Sequence, residues 1–297
     1  MRLYDMHADT PYRIFSLDTD FSDPRLHISC DKLKSFFDYR QFFAIWSDYE
    51  KDNEKAYNDF FLIRKRFIEN IDKFNLKNMN FCFSVEDARL LNGKTERIST
   101  LYECGVRILT LVWRGDSIIG GAYDTQNGLT DFGKEVVLSC FELGIVPDIS
   151  HASVKTIREV NMISQKFKKP YIATHSNSYN VYPHKRNLND SDFLDIKSVG
   201  GIVGISFAPI HLCEGDAHIS DVIRHIEHYL SIGGEDTVCL GCDFDGIDET
   251  PIGISDISMI YTLKNELIRL GYNELLTDKI FYKNANDFVE KNINLPI

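Results

Sequence analysis

The feature of this sequence that most limits its fold is a repeated alternation of two hydrophobic patterns. Short runs of β-branched and aromatic residues, typical of buried parallel strands, are each followed by a longer segment with apolar residues at helical spacing. The clearest such segment is EKAYNDFFLIRKRFIENIDKF, over 54–74. The predicted strands are 3–9, 42–48, 81–87, 106–113, 145–152, 170–177, 201–208 and 237–246.

Eight strands that alternate with helices over 297 residues predict an α/β fold, specifically a single (β/α)₈ barrel of the TIM type. No Pro-rich, Gly/Ser-rich or low-complexity segment divides the chain, so we expect one domain over 1–297. A doubly wound open sheet is the alternative architecture. The first strand is not followed by the G-x-G-x-x-G pattern that many such sheets carry, which favours the barrel.

Side chains that can bind metals follow five of the predicted strands at their carboxyl ends. Active sites of (β/α)₈ barrels lie at that end. In LYDMHADT, over 3–10, alternation along a strand places Asp5 on the same face as the histidine and the aspartate that follow it. Each of these side chains alone has an ordinary structural explanation, but their agreement at five strand ends favours a metal centre. The candidates are His7, Asp9, Glu86, His151, His175, Asp243 and Asp245.

This set of side chains is too large for one tetrahedral zinc ion. Three histidines with several carboxylates suit two divalent cations about 3.5–4 Å apart, joined by a bridging carboxylate and a bridging water. Nitrogen and oxygen ligands without thiolate favour zinc, with manganese or cobalt as alternatives. Two such cations lower the pKa of the shared water and polarise a carbonyl group, so hydrolysis is the leading reaction class.

Composition and charge argue against several other classes of function. The formal net charge is −11, and no cluster of Lys or Arg reverses it locally, so we expect no nucleic acid and no anionic membrane as a partner. No apolar run approaches the ~20 residues of a membrane span, and the first ten residues lack the apolar core of a secretion signal. The seven cysteines have no framework spacing, which is typical of reduced thiols. We therefore expect a cytoplasmic protein.

The motifs of the chain, taken in order, resemble those of the membrane (renal) dipeptidase family of zinc peptidases, and especially its shorter bacterial members. They are DMHADT, SVED, GLTDFG, DISHAS, ATHSNS, HKRNLND and GCDFDG, and they cover nearly the whole chain. The resemblance implies a (β/α)₈ barrel that hydrolyses small dipeptides through a metal-bridged hydroxide. It also implies tolerance of a D-amino acid at the C-terminal position of the dipeptide, and a homodimer.

The resemblance also implies which side chains bind the two ions. Matched position by position, His7 and Asp9 would bind one metal, and His151 and His175 the other. Glu86 would bridge both. A Gly commonly follows the bridging Glu in this family, whereas this chain has an aspartate at 87, a second carboxylate that competes for the bridging role.

Two more residues receive roles in the reaction from the same comparison. Asp243 would contact the bridging water and move its proton to the leaving amine. Arg186 would bind the free C-terminal carboxylate of the substrate, since a planar guanidinium matches a carboxylate with two hydrogen bonds. Mammalian members carry a histidine after the fourth strand that stabilises the oxyanion, whereas this chain has Trp113 followed by Arg114. Another donor, or a metal, must then stabilise the oxyanion.

Three alternatives remain open. A related dinuclear hydrolase would act on an ester, lactone or cyclic amide, and Arg186 separates the two because only a substrate with a free carboxylate needs it. A phosphoesterase of the polymerase/histidinol-phosphatase type also begins with a similar motif, but usually has a second histidine where this chain has Asp9. A binding protein that merely retains the metals would not need Asp243.

Several other polar residues are expected to stay outside the metal centre. Asp5, Asp148 and Asp245 are expected to support ligands or turns rather than to bind metal. His225 and His228 fall on a predicted helix without the H-E-x-x-H pattern, and we expect them to face solvent.

Overall fold

The fold is built on a curled sheet whose strand pairs are all parallel. The computed structural model describes residues 1–74, 76 and 79–295. Seven strands pair in the order β5-β4-β3-β2-β1-β7-β6. They are β1 (Arg2–Ala8), β2 (Asp38–Ile45), β3 (Met79–Glu86), β4 (Val106–Thr110), β5 (Val146–Asp148), β6 (Val203–Ile205) and β7 (Val238–Leu240).

The strand predicted over 170–177 is absent from the sheet of the described residues. Ile172 instead makes an isolated parallel bridge to β5, and Ala173 makes one to β6. These are the two edge strands, so the segment links them through backbone hydrogen bonds. The strand pattern ends there because Asn177 replaces the backbone ladder: its amide donates to the carbonyl of Ser206 and its Oδ1 accepts from the same residue's N–H, both at 3.0 Å.

The architecture is therefore an α/β fold with a curled seven-stranded parallel sheet, consistent with a TIM-like barrel. The prediction of eight strands was one strand too many for the described residues. The last predicted strand, 237–246, is also shorter than expected, since regular pairing is confined to Val238–Leu240.

Helices follow the strands, as the alternation predicts, and begin at recognisable caps. Thr130 caps one of them by accepting a hydrogen bond from the amide of Gly133, and Gly144, with φ of 81°, ends it. Within the described residues, no helix is both long enough and apolar enough to cross a membrane. The helices are α1 (Thr10–Ser16), α2 (Asn53–Phe74), α3 (Arg97–Glu103), α4 (Asp131–Leu143), α5 (Val154–Phe167), α6 (Asp190–Ser198), α7 (Pro209–Leu212), α8 (Ile219–Ser231), α9 (Ile260–Arg269), α10 (Glu274–Asp278) and α11 (Asn284–Asn292).

The fold has two apolar cores among the described residues, one on each face of the curled sheet. The larger core lies between the strands and the helices, and the smaller is enclosed by the sheet. Side chains of α11 and of the preceding π-helical turn fill the enclosed core at the amino ends of the strands, where Tyr282 packs on Tyr4. Since that end is filled, the carboxyl end of the sheet is left for a site. The enclosed core consists of Tyr4, Met6, Phe42, Cys82, Ile108, Val146, Ile172, Ile202, Cys239, Tyr282, Ala285, Phe288, Val289 and Ile293.

Candidate metal centre

An irregularity in β1 determines where His7 points. Asp5 lies opposite Gln41 of β2, but the next paired residue, Ala8, lies opposite Phe43. An advance of three residues along β1 therefore corresponds to an advance of only two residues along β2. The extra residue forms a β-bulge, a distortion that changes the direction of a side chain near the end of a strand. As a result His7 turns towards the interior of the sheet, where it meets side chains from other strands.

Asp5 does not take part in this cluster. Its side chain lies on the outer side of the sheet, where Oδ1 accepts a hydrogen bond from the amide of Cys242 at 2.8 Å. The prediction that Asp5, His7 and Asp9 share one face by simple strand alternation is therefore wrong. The prediction that Asp5 does not belong to the ligand set agrees with this position.

Glu86, at the end of β3, lies between two groups of nitrogen donors. Its Oε1 is 2.9 Å from Nε2 of His151 and 3.5 Å from Nε2 of His175. Its other oxygen, Oε2, is 3.8 Å from Nε2 of His7, which in turn lies 3.3 Å from Oδ2 of Asp9. One carboxylate thus presents a separate oxygen to each group, as a carboxylate that bridges two cations must do.

The donor side chains are buried, and two of their donor atoms lack the partners that buried polar atoms normally have. Among the described residues, Nε2 of His7 and Oδ1 of Asp9 make no hydrogen bond. Nδ1 of His151 lies 3.1 Å from the carbonyl oxygen of Trp113, which can only accept, so this nitrogen carries the proton and Nε2 presents its lone pair to the centre. The donor set therefore fits divalent cations, and three combinations of its atoms lie close enough to hold one: His7 with His175 and Asp243, Glu86 with His151 and His175, and His7 with Asp9 and Glu86.

The electrostatics of the cluster favour cations as well. Burial, followed by the charge of Glu86, raises the pKa of Asp9 to about 6. Burial also raises the pKa of Asp243 well above its usual value, and the charges of Asp9 and Glu86 add to this effect. Burial lowers the pKa of His151 to about 4. Burial opposes charge on His7 as well, yet the charges of Glu86 and Asp9 raise the pKa of His7 well above its usual value. The crowded carboxylates therefore attract positive charge, and a divalent cation would offset the repulsion among them.

The backbone at this end of the sheet adopts conformations that L-residues rarely occupy. His151, Asp243 and Asp245 have φ of 70°, 64° and 65°. Such conformations cluster at functional sites, because the surrounding structure must hold them in place. Gly246 follows this segment, and a Cβ atom added there would overlap both the Asp9 carboxylate and the Asp243 carboxylate.

Two neighbouring carboxylates point away from the donors. Asp87 lies 3.0 Å from Nε of Arg89 and accepts a hydrogen bond from that residue's amide. Asp245 accepts a hydrogen bond from the hydroxyl of Thr10 at 2.6 Å and another from the backbone N–H of His27. Of the two carboxylates at positions 86 and 87, therefore, Glu86 is the one that faces the histidines.

A cavity of about 680 Å³ opens over the donor atoms. One wall is aromatic: Tyr12 packs edge-on against Trp46, and Trp46 lies 5.2 Å from Trp113 between ring centroids. Trp113 also lines the cavity, and Arg114 and Tyr123 bring the Gly-rich segment 114–128 to it. Asp9, Glu86, His151, Arg186, His211 and Asp243 also line it.

Arg186 is the main positive charge within this cavity. Its side chain is buried at 5% exposure, and within the described part of the chain it has no acidic group at ion-pair distance. Its Nε has no hydrogen-bond acceptor among those residues, and its guanidinium carbon lies 5.8 Å from the centre of the Tyr123 ring. Burial lowers the pKa of Arg186, and the charges of Asp243, Glu86 and Asp148 act on it from beyond ion-pair distance. A buried cation that faces a cavity and has no ion pair among the described residues is suited to bind an anionic group of a ligand.

Sequence reasoning missed two contributors and misplaced a third. His211, at the end of a four-residue helix, lines the cavity, and Gly246 leaves room for the carboxylates, yet neither belongs to a pattern that a single sequence makes recognisable. His225 was predicted to face solvent, but it is fully buried: its ring accepts from the amide of Ser178 and donates to the carbonyl of Leu212. His228 is only partly exposed and lies 2.7 Å from Asp190.

Comparison with known sequences gives matches over most of the chain. The sequence model of the membrane dipeptidase family (peptidase family M19) matches residues 1–291. An uncharacterized protein in the pqqA 5′ region of Klebsiella pneumoniae is 32% identical over 213 residues, which cover 67% of this chain and 77% of that protein. An uncharacterized dipeptidase of Schizosaccharomyces pombe is 29% identical over 205 residues, 67% of this chain but only 49% of the yeast protein.

Solved structures match the fold from end to end. A metallopeptidase described as dipeptidase AC superposes with a TM-score of 0.88 at 25% identity, covering 98% of each chain. A metallopeptidase from Rhodobacter sphaeroides, crystallised with a phosphinate mimic of L-Ala-D-Ala, superposes with a TM-score of 0.89 at 23% identity, covering 98% of this chain and 99% of that one.

Proposed function

We propose a reaction for this site from the premise that the chain belongs to the membrane dipeptidase family: it hydrolyses the peptide bond of small dipeptides that have a free C-terminal carboxylate. The enzyme is a metallo-dipeptidase by its family and by its structural relatives. The observation that carries the finer proposal is the position of Arg186, a buried guanidinium without a counter-ion that shares one cavity with the carboxylate-bridged donor set.

The centre would hold two divalent cations, zinc in our proposal. His7 and Asp9 would hold one of them and His151 and His175 the other, and Glu86, whose two oxygens face the two groups, would contribute to both. When bound, such a pair of cations supplies an activated water and polarises the scissile carbonyl. The protein keeps the donor atoms preorganised, because their side chains are buried and the backbone of one of them, His151, is fixed in an unusual conformation.

Arg186 orients the substrate. Its guanidinium binds the C-terminal carboxylate of the dipeptide, which places the peptide bond towards the donor set rather than towards solvent. The aromatic wall of Tyr12, Trp46 and Trp113 covers the substrate from the side and excludes water around it. A substrate whose carboxylate is blocked as an amide loses this interaction and binds poorly.

Asp243 transfers the proton. Its Oδ1 lies 4.0 Å from Nε2 of His7, at the edge of the donor set, and the side chain also lines the cavity. From this position its carboxylate would take a proton from the attacking water and release it to the leaving amine. Asp245 cannot share this role, because Thr10 and the His27 backbone engage its oxygens.

We also propose that the enzyme accepts a D-amino acid at the C-terminal position. The Rhodobacter sphaeroides relative, whose fold superposes over nearly the whole chain, was crystallised with a mimic of an L-D dipeptide, and this supports the proposal. A single barrel domain, a homodimer and a cytoplasmic location complete the proposal. Light scattering of purified protein tests the dimer.

A hydrolysis screen on metal-loaded protein tests the function. L-L and L-D dipeptides should be hydrolysed, whereas the same dipeptides amidated at the C-terminus should be poor substrates. N-acetylated dipeptides measure how much the free amine contributes. Equal turnover of the acids and the amides, together with hydrolysis of simple esters or lactones, would contradict the dipeptidase proposal.

A further inference from the structure

One hydroxyl group contacts a histidine from each of the two proposed metal sites. Oγ1 of Thr174 lies 2.9 Å from Nδ1 of His175 and 3.3 Å from Nδ1 of His7. The two imidazole ring centres lie 3.9 Å apart, with the ring planes tilted by 38°, so a single side chain can reach both. In each ring the contact is made by the nitrogen that faces away from the donor set, which leaves Nε2 pointing towards it.

The proton of this hydroxyl has a defined partner. Thr174 donates to Oδ2 of Asp148 at 2.7 Å, a short distance that is typical of a hydrogen bond to a charged acceptor. Asp148 is fully buried and accepts four more hydrogen bonds. They come from the hydroxyl of Thr110, from the amide and the hydroxyl of Ser150, and from the amide of Thr174. Two of these five bonds come from backbone N–H groups and three from hydroxyls, an arrangement that an ionised carboxylate satisfies completely because it only accepts.

The positions of the ring protons follow from this arrangement. A hydroxyl that has given its one proton to Asp148 can only accept from its other neighbours. Both Nδ1 atoms must therefore carry a proton and donate it to Thr174. Both Nε2 atoms are then unprotonated in the neutral rings and present a lone pair to the centre, which is the form that binds a metal.

We propose that Asp148 and Thr174 are positioning residues that hold His7 and His175 as Nδ1–H tautomers, so that one hydroxyl prepares a ligand for each of the two metals. The inference rests on the proposed function, which assigns a cation to each of these histidines. It adds that the two metal sites depend on the same hydrogen bond. A change at Thr174 should therefore weaken both sites together.

Thr110 provides a matched control. Its hydroxyl donates to the same carboxylate oxygen of Asp148 at 2.6 Å, it is equally buried, and its hydroxyl makes no histidine contact in the described part of the chain. Thr110→Val and Thr174→Val each remove one buried hydroxyl and one hydrogen bond to Asp148. Only Thr174→Val also removes the acceptor for the two imidazoles.

Metal affinity, measured by competition with a chromogenic chelator, distinguishes loss of the hydrogen bond to Asp148 from loss of the acceptor for the two imidazoles. Loss of a hydrogen-bond partner of a metal ligand typically costs about 10–100-fold in metal affinity. We expect a loss of this size at both sites in Thr174→Val, wild-type affinity in Thr174→Ser, and little change in Thr110→Val. Equal weakening by the two valine variants, or unchanged affinity in Thr174→Val, would overturn the inference.

Asp148→Asn gives a second readout that does not require the valine variants to fold. The amide can keep its oxygen towards the two backbone N–H groups and the Ser150 hydroxyl and turn its NH₂ towards Thr110 and Thr174, so that only the hydrogen bonds of these two threonines change direction. The proton of Thr174 then points to His175, whose own proton must move to Nε2.

Nitrogen NMR of ¹⁵N-histidine-labelled, metal-free protein detects this proton. The His175 signals are identified by their loss in His175→Gln. We expect an Nδ1–H ring in the wild type, an Nε2–H ring in Asp148→Asn, and weaker metal binding in the latter. An Nδ1–H ring and wild-type affinity in Asp148→Asn would overturn the inference, whereas a wild-type protein that binds no metal would instead contradict the proposed function.

Discussion

Replacement of Arg186 by methionine removes the charge that we assign to recognition of the substrate. The side chain is 5% exposed and has no acidic partner at ion-pair distance among the described residues. Methionine has a similar length and no charge, so the cavity keeps most of its volume. In our proposal the carboxylate of the dipeptide is the counter-ion of Arg186 in the wild type, and in the variant this carboxylate would enter the cavity unpaired.

The expected size of the effect follows from that burial. Truncation of one partner of a buried, hydrogen-bonded charge pair costs about 2–5 kcal/mol. At about 1.4 kcal/mol per factor of ten, kcat/KM for a free dipeptide should fall by roughly 30- to 4,000-fold. The free energy of unfolding of the substrate-free protein should change much less, because Arg186 makes no ion pair among the described residues and its removal relieves a buried charge.

Steady-state kinetics on matched substrates provide the assay. The wild type should prefer a free dipeptide strongly over its C-terminal amide, and Arg186→Met should lose this preference. Arg114→Met is the control, since Arg114 lines the same cavity but its side chain is 61% exposed and lies 3.8 Å from Asp124. If Arg186→Met retains the preference for the free acid, or if Arg114→Met loses it equally, the reasoning is refuted.

Three further variants or treatments have defined outcomes. Asp243→Asn should keep its metals but lose at least about 100-fold in kcat, because proton transfer contributes ~10²–10⁴-fold. The control is Asp248→Asn, whose side chain is exposed at the cavity mouth and whose kcat should stay near that of the wild type. A kcat near the wild-type value in Asp243→Asn would contradict the assignment. Gly246→Ala should lower metal content and kcat together, because the added Cβ displaces the carboxylates of Asp9 and Asp243. Metal analysis of the purified variant measures the first effect, and a normal metal content would contradict the prediction. Chelation should lower the unfolding temperature in calorimetry, since free metal at about 1,000 times Kd stabilises the folded state by about 4 kcal/mol; an unchanged temperature would argue against tight binding.

Much of the site could be predicted from the sequence because the order of the strands and the position of active sites in such folds lead to the same end of the sheet. The alternation of strand and helix patterns predicts parallel strands, and parallel strands bring their carboxyl ends to the same edge. Glu86, His151 and His175 follow three different predicted strands, and the structure places them within 3.5 Å of one another. The pattern therefore located the donors even though one of those strands proved to be an irregular segment.

The parts that could not be predicted depend on local irregularity or on distant contacts. The bulge in β1 follows from how β1 pairs with β2, and strand alternation alone gave the wrong face for Asp5. The segment around Asn177 leaves the strand conformation because a side-chain amide replaces the backbone ladder. Asp148 was expected to be structural, and only the hydrogen-bond geometry connects it, through Thr174, to two of the histidines.

The most direct test of the account is a titration of metal-free protein with zinc, manganese or cobalt while hydrolysis of a free dipeptide is followed. We predict no hydrolysis without metal, and activity that rises and reaches its maximum at two ions per chain, because two groups of donors share Glu86. Dipeptide hydrolysis that persists undiminished after exhaustive metal removal would contradict the account.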